Sequence, residues 1–228
     1  MLLVPPALHA QDLPNEAYVK KQRDIWLNVA QNSKHDTEAW HKVGEYELQL
    51  GNADASIAAE SKAIAMHPKY AAAYGGRARA HFDKRDFAAC KADATKVIGL
   101  LEAKGGMQRF LDFERPPEVY LACYRLRGLA NAWESKWEPA FSDLAAAVKL
   151  SPVDAGLELE RAVLFEKAKR PKDAIASRLR AGLLFADGGA KAKAVEQAAA
   201  LKRLGGAKEA AQVEAKLASK KPKSDLPD

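Results

Sequence analysis

From Tyr124 to Pro152 the chain reads YRLRGLANAWESKWEPAFSDLAAAVKLSP. Tyr124, Arg127 and Gly128 stand on one helical stretch and Ala140, Asp143 and Ala147 on a second, which Pro152 ends because proline cannot continue a helix. The same chemistry recurs when the 228-residue sequence is laid on itself at steps of 34, 50 and 34 residues. Trp40, Tyr74 and Tyr124 form an aromatic column that Glu158 breaks. Small residues fill three further columns: Gly44, Ala78, Gly128 and Ala162; Ser56, Cys90, Ala140 and Ala174; and Ala63, Val97, Ala147 and Ala181. Met66, Leu100, Leu150 and Leu184 add an apolar column near each copy's end.

Each column has a physical reason. Two antiparallel helices approach closely only where side chains are tiny, so the small residues of a first helix are expected to face those of a second. Aromatic and aliphatic columns fill the flanking space, and each hairpin covers an apolar stripe that its predecessor leaves open. Composition agrees: the chain is rich in Ala, Leu, Lys, Glu and Arg, and only 7% aromatic.

The stretch from Trp40 through Val43-Gly44, Gly51-Asn52, Ser56-Ile57, Ala63 and Pro68, and the copy from Tyr124 to Pro152, resemble the tetratricopeptide repeat (TPR). Glu47 and Glu60 depart from the aromatics which that family favours at their slots. The resemblance implies an all-α fold, a right-handed solenoid of antiparallel helix pairs. The expected organisation is a leader at 1–14, a capping helix at 15–35 and four repeats within 36–186 (37–70, 71–104, 121–154 and 155–186). An insertion at 105–120 separates the second and third copies, and C-terminal helices at 187–219 precede a disordered tail at 220–228.

Several local readings follow. Arg77 and Asp93, and again Arg127 and Asp143, are 16 residues apart at the same slots of two copies, which predicts an Arg–Asp bridge inside each hairpin; Arg161 has Ser177 in place of the acid. Residues 15–31 read as one amphipathic helix with Tyr18, Ile25, Trp26 and Val29 as its apolar side. Helices at 190–204 and 207–218, split by Gly205-Gly206, suggest a degenerate fifth hairpin. The insertion reads as a short helix packing back on the solenoid or as a partner-binding loop.

Charge and ends bound the function classes. Nine of the basic and five of the acidic residues lie between Lys191 and Asp228, so that segment carries +4 of the formal +6. The nearly balanced remainder is a poor phosphate-binding face, and RNA or another polyanion is the runner-up partner rather than the leading one. No stretch has the ~20 apolar residues of a membrane-spanning helix. MLLVPPALHA at the start reads as the end of a secretory signal peptide, implying a periplasmic or secreted bacterial protein, or as an apolar N-terminus of a cytoplasmic one. Cys90 and Cys123 show no zinc spacing and read as small buried thiols that could pair if exported.

Nothing in the sequence assembles catalytic chemistry. The five histidines are scattered, no His-Glu-x-x-His occurs, and the Gly-Gly pairs lack phosphate-cradle spacing, so no metal, cofactor or catalytic residue is expected. The resemblance implies a concave groove, lined by the first helices, that takes a protein or peptide partner. By register that face carries His41, Glu45 and Leu48 in the first copy, and Arg79, Phe82 and Asp83 in the second. The third supplies Arg125, Leu129 and Trp133, and the fourth Val163 and Lys167. Arg79, Phe82, Arg125 and Trp133 have the Arg-plus-aromatic character of binding hot spots, although Trp133 could instead pack against the next copy. The relatives that grip acidic chaperone tails use Lys and Asn on this face, where here stand His41, Glu45, Gly76, Ala122 and Leu126. The expected function is thus a non-catalytic scaffold for protein–protein or protein–peptide interaction.

Overall fold

The computed structural model of the chain describes residues 15–33, 35–103 and 118–219. The leader at 1–14, residues 105–117 of the predicted insertion and the tail at 220–228 lie outside the described residues, as do residues 34 and 104. The described residues are helices and short connections, with no strand among them. They fall into two compact units, one ending at Leu150 and the other starting at Ser151.

In the first unit, α1 (Glu16–Asn32) precedes three helix pairs: α2 (Thr37–Gln49) with α3 (Ala53–Met66), α4 (Ala71–Asp83) with α5 (Phe87–Glu102), and α6 (Glu118–Trp133) with α7 (Trp137–Leu150). Residues 118–120, counted in the sequence as insertion, open α6. Each helix packs on its neighbour in sequence, and α2 lies on α4 and α4 on α6, so the first helices of the pairs stand side by side. In the second unit, α8 (Ala155–Lys167) pairs with α9 (Pro171–Asp187) and α10 (Lys191–Arg203) with α11 (Ala207–Ser219). Here the second helices, α9 and α11, meet. Gly182 permits it: a Cβ there would stand 2.8 Å from Val213 Cγ2 and 3.2 Å from Gln197 Cβ.

The helices start and turn for local reasons. Asp36, Asp86 and Asp154 accept from backbone N–H groups of the turn that follows, satisfying donors that have no intrahelical partner. Inside every pair the chain reverses through a residue with positive φ: Gly51 (79°), Arg85 (62°), Ser135 (57°), Lys169 (59°) and Gly205 (85°). At each turn the following N–H reaches back five residues, as in Asn52 to Glu47 and Gly206 to Leu201, both 2.8 Å. This is the Schellman closure of a helix end. Its recurrence at Gly205 makes the α10–α11 pair a fifth hairpin of the same design.

The small-residue columns are where the helices touch. Ala78, Ala162, Ser56, Cys90, Ala140, Ala174 and the whole Ala63, Val97, Ala147 and Ala181 column are fully buried. A Cβ on Gly128 would meet the Ala140 carbonyl oxygen at 3.2 Å. The last apolar column is looser: Leu150 is buried, but Met66 is exposed, because it ends α3 beside solvent. On α1, Tyr18 and Ile25 are exposed, contrary to the sequence reading. Val19 and Ala30 are its buried residues, and Trp26 and Leu27 pack on the cluster of Trp40, Val43 and Ala63. The buried stripe is rotated because Arg23, on the same face, is bound to Glu47 of α2 at 2.6 Å.

Both predicted Arg–Asp bridges form, and each is bidentate. Arg77 Nε and Nη2 donate to the two Asp93 oxygens at 2.8 Å, and Arg127 Nε and Nη2 to those of Asp143 at 3.0 and 2.7 Å. Each guanidinium also donates back to the preceding second helix, Arg77 to Ser61 (3.0 Å) and Arg127 to Thr95 (3.1 Å), so one side chain joins three helices. In the fourth copy, where Ser177 replaces the acid, Arg161 turns to Glu158 at 3.1 Å. Glu158, the residue that breaks the aromatic column, is buried and also faces Arg180 at 3.2 Å.

Arg127→Ala leaves the buried Asp143 carboxylate only the long hydrogen bond from Asn131 Nδ2 (3.5 Å) and should lower stability by about 2 kcal/mol, a buried-pair loss discounted for partial exposure of the guanidinium. Arg161→Ala should cost less in the same urea titration, since Glu158 keeps Arg180. Lys169→Gly removes the left-handed strain of a β-carbon and should raise the unfolding free energy by about 1 kcal/mol; an unchanged midpoint would show the turn to be unstrained.

Candidate binding groove

The side-by-side packing of α2, α4 and α6 leaves an open groove of about 540 Å³ along the first unit. From α2 it is lined by His41, Glu45, Leu48 and Gln49, and from α4 by Ala72, Gly76, Arg79 and Asp83. Helix α6 adds Glu118, Val119 and Ala122. Glycines on α4 allow this closeness: a Cβ on Gly75 would stand 2.3 Å from Val119 Cγ2.

Beneath the α2 side of the groove lies a buried ionisable pair. Glu60 projects from α3 with no exposed surface, and both its oxygens stand 3.0 Å from His41 Nδ1. Room for it comes from glycines on both flanking helices. A Cβ on Gly44 of α2 would be 2.7 Å from Glu60 Oε1, and one on Gly76 of α4 2.1 Å from the same atom. The Tyr70 ring meets His41 edge-on at 5.6 Å. His41 Nε2 points the other way, 3.6 Å from Glu45 Oε1, beyond hydrogen-bonding reach.

Burial pushes the Glu60 carboxyl up to about 7, against the pull of His41. Burial alone would lower the His41 imidazole, but the hydrogen bond and charge of Glu60 carry it above its ordinary value. The pair therefore holds its protons into the neutral range. Elsewhere, Cys90 and Cys123 are buried and not joined to each other, and burial pushes both thiols up to about 12, where a nucleophilic thiolate is not formed at neutral pH. Among the described residues no group of three or more His, Cys, Asp or Glu is placed to hold a metal ion. No described helix is long and apolar enough to cross a membrane.

Of the residues singled out from sequence, the groove gathers His41, Glu45 and Arg79, together with Leu48 and Asp83. Phe82 and Trp133 are not on its lining. Phe87, at the start of α5, stacks on Trp133 at 5.5 Å and 24° and meets Phe82 edge-on at 5.7 Å, while the Arg85 guanidinium lies 4.9 Å over the Trp133 ring. Trp133 thus seals the junction with the preceding pair rather than the next. Arg125 is half-buried on α6 and is also absent from the lining, and Leu129 is buried. Val163 and Lys167 belong to α8 in the second unit. The sequence reading missed Glu118 and Val119, which sit where it placed the insertion, and it noted Glu60 only as a departure; the glycine pair at 75 and 76 was the available signal.

The titration of the buried pair is measurable. Both groups have folded values above their ordinary 4.5 and 6.5, so the stability they contribute is complete below those values and is lost as pH rises through the folded ones, near 7 for Glu60. The melting temperature should fall by a few degrees between about pH 5 and about pH 8. The difference between wild type and Glu60→Gln isolates the pair, and a difference that does not change with pH would dismiss it.

No protein-family model matches the sequence, and no curated protein matches it. Solved structures do share the fold. MamA from Desulfovibrio magneticus RS-1 superposes with a TM-score of 0.59 at 15% identity over 72% of this chain and 83% of its own. YrrB, described as a TPR protein with an unusual peptide-binding site, gives 0.58 at 13% identity over 89% and 95%. The Cut9–Hcn1 hetero-tetramer of the APC/C gives 0.60 at 16% over 87% of this chain and 36% of that one. With its repeated Schellman turns and small-residue helix crossings, the chain is a protein of the tetratricopeptide-repeat fold.

Proposed function

We propose that the chain is a non-catalytic scaffold that holds a peptide segment of another protein in the groove over α2, α4 and α6. The carrying observation is the groove itself: about 540 Å³ of open space between three first helices, within the range of small-ligand and peptide-side-chain sites. Its lining mixes aliphatic surface from Leu48, Ala72, Val119 and Ala122 with a few oriented charges, the composition that gives both burial and direction to a bound chain. The peptide-binding site in the description of YrrB supports the reading by fold alone. Polyanion binding is not favoured, because Glu45, Asp83 and Glu118 outnumber Arg79 on the lining.

The test is to fill the groove. Ala122→Trp places an indole in it, and Gln49→Trp does so from an exposed rim position without disturbing a helix crossing. Each variant, once shown by circular dichroism to melt like wild type, is compared with Trp133→Ala in affinity capture from the native host. Partners should disappear with either groove substitution and remain with Trp133→Ala. Equal recovery of every partner from all three would place binding elsewhere.

A further inference from the structure

The groove is not electrically neutral. Three carboxylates, Glu45, Asp83 and Glu118, share its lining with a single guanidinium, Arg79. Arg79 is committed to Asp83 one turn along α4, at 3.2 Å. Lys42 reaches Glu45 Oε2 from the rim at 2.7 Å, leaving Oε1 toward His41. Glu118, exposed at the start of α6, has no ionic partner among the described residues. Even with Lys42 counted, the lining carries one negative charge in excess.

The neighbouring charges on α1, α3 and α4 that are described are engaged. From α1, Arg23 is bound to Glu47. From α4, Arg77 is held by Asp93 and Ser61. From α3 the groove receives Glu60, and from the connection before α4 the Tyr70 ring, edge-on to His41. Among the described residues, none of these cations is left free to complete the set, and a positive charge from outside would do so in a partly desolvated site, where Coulomb attraction is stronger than in water.

Resting on the groove reading above, we propose that the guest segment presents a cationic side chain, Lys or Arg, between Glu45, Asp83 and Glu118, and that the His41–Glu60 pair beneath sets the pH at which it is held. The pair carries one more positive charge when protonated, which repels an incoming cation. Binding therefore releases a proton from it and tightens as pH rises through neutrality. One linked proton changes affinity by up to about tenfold per pH unit in the range where it titrates.

Random dodecapeptides displayed on phage and selected on the full-length chain at about pH 8 supply the probe, and the recovered peptides are then labelled and titrated by fluorescence anisotropy. The expected result is enrichment of Lys or Arg at one position, with norleucine there weakening binding by about tenfold, the size of one good charge pair. Glu118→Lys, an exposed substitution that leaves every helix crossing intact, should abolish that preference. Affinity should drop several-fold from about pH 8 to about pH 6 in wild type and stay level in Glu60→Gln, whose folding is checked by its melt. Acidic or purely apolar peptides that are still lost from Ala122→Trp would overturn the cation while leaving the groove in use. Peptides indifferent to Ala122→Trp and Gln49→Trp, or no peptides at all, would overturn the groove itself. A pH-independent affinity in wild type would remove the His41–Glu60 pair from the proposal.

Discussion

Everything in this fold depends on how closely two helices can lie. Backbones separated by little more than van der Waals contact leave space at the crossing for a hydrogen or a methyl, and the buried residues Ala78, Ala140, Ala162 and Ala174 are what remains possible there. The aromatic and aliphatic side chains pack around these crossings, and the turns between helices are closed by the same backbone bonds in every pair. The bridges add direction to this packing. A guanidinium fork that joins three helices by three donors in one plane, as Arg127 does to Asp143 and Thr95, resists the sliding of one pair on the next that apolar contact alone would permit.

The candidate site arises from the same constraint used twice over. Where one glycine at a crossing merely lets two helices touch, Gly44 and Gly76 face each other across α3 and open a hole large enough for a carboxyl group. Glu60 fills it, at the slot where the repeat family favours an aromatic ring. A buried carboxylate is costly unless its oxygens are satisfied, and here both lie on His41 Nδ1. The imidazole in turn shows only Nε2 to the groove. A polar residue placed for packing could have been satisfied in many ways; this one is bound to the ring whose other nitrogen is turned toward Glu45 on the groove lining.

How much of this could be read beforehand follows from which interactions are periodic. The small columns and the 16-residue Arg–Asp spacing repeat along the chain, so helix pairs and bridges were legible from Arg77, Asp93, Arg127 and Asp143 alone. His41, Glu45, Leu48, Arg79 and Asp83 of the groove lining followed from the same register, while Gln49 and Ala72 did not. Phe82 and Trp133 did not, because the direction of a side chain near a helix end depends on its neighbours, and Phe87 and Arg85 draw these rings to the junction between pairs. Glu118 and Val119 were hidden by the break in periodicity before the third copy. The positive φ shared by Gly51, Arg85, Ser135 and Lys169 was hidden for the opposite reason: only one of the four is glycine, so the geometry repeats while the chemistry does not.

The second unit shows what happens when the repeating parts are changed together. Glu158 stands where an aromatic would, and Ser177 where the bridging acid would, so Arg161 turns along its own helix instead of across to α9. The task of joining three helices passes to Arg178, which donates from α9 to Glu166 on α8 and, at 2.6 Å, to Gln197 on α10. The next contact is then made by the second helices, with Gly182 admitting Val213. First helices that do not meet cannot frame a groove of the kind that α2, α4 and α6 enclose. The loss of one periodic acid and the gain of one glycine thus accompany a change in which helices meet, from first helices side by side in the first unit to second helices in the second.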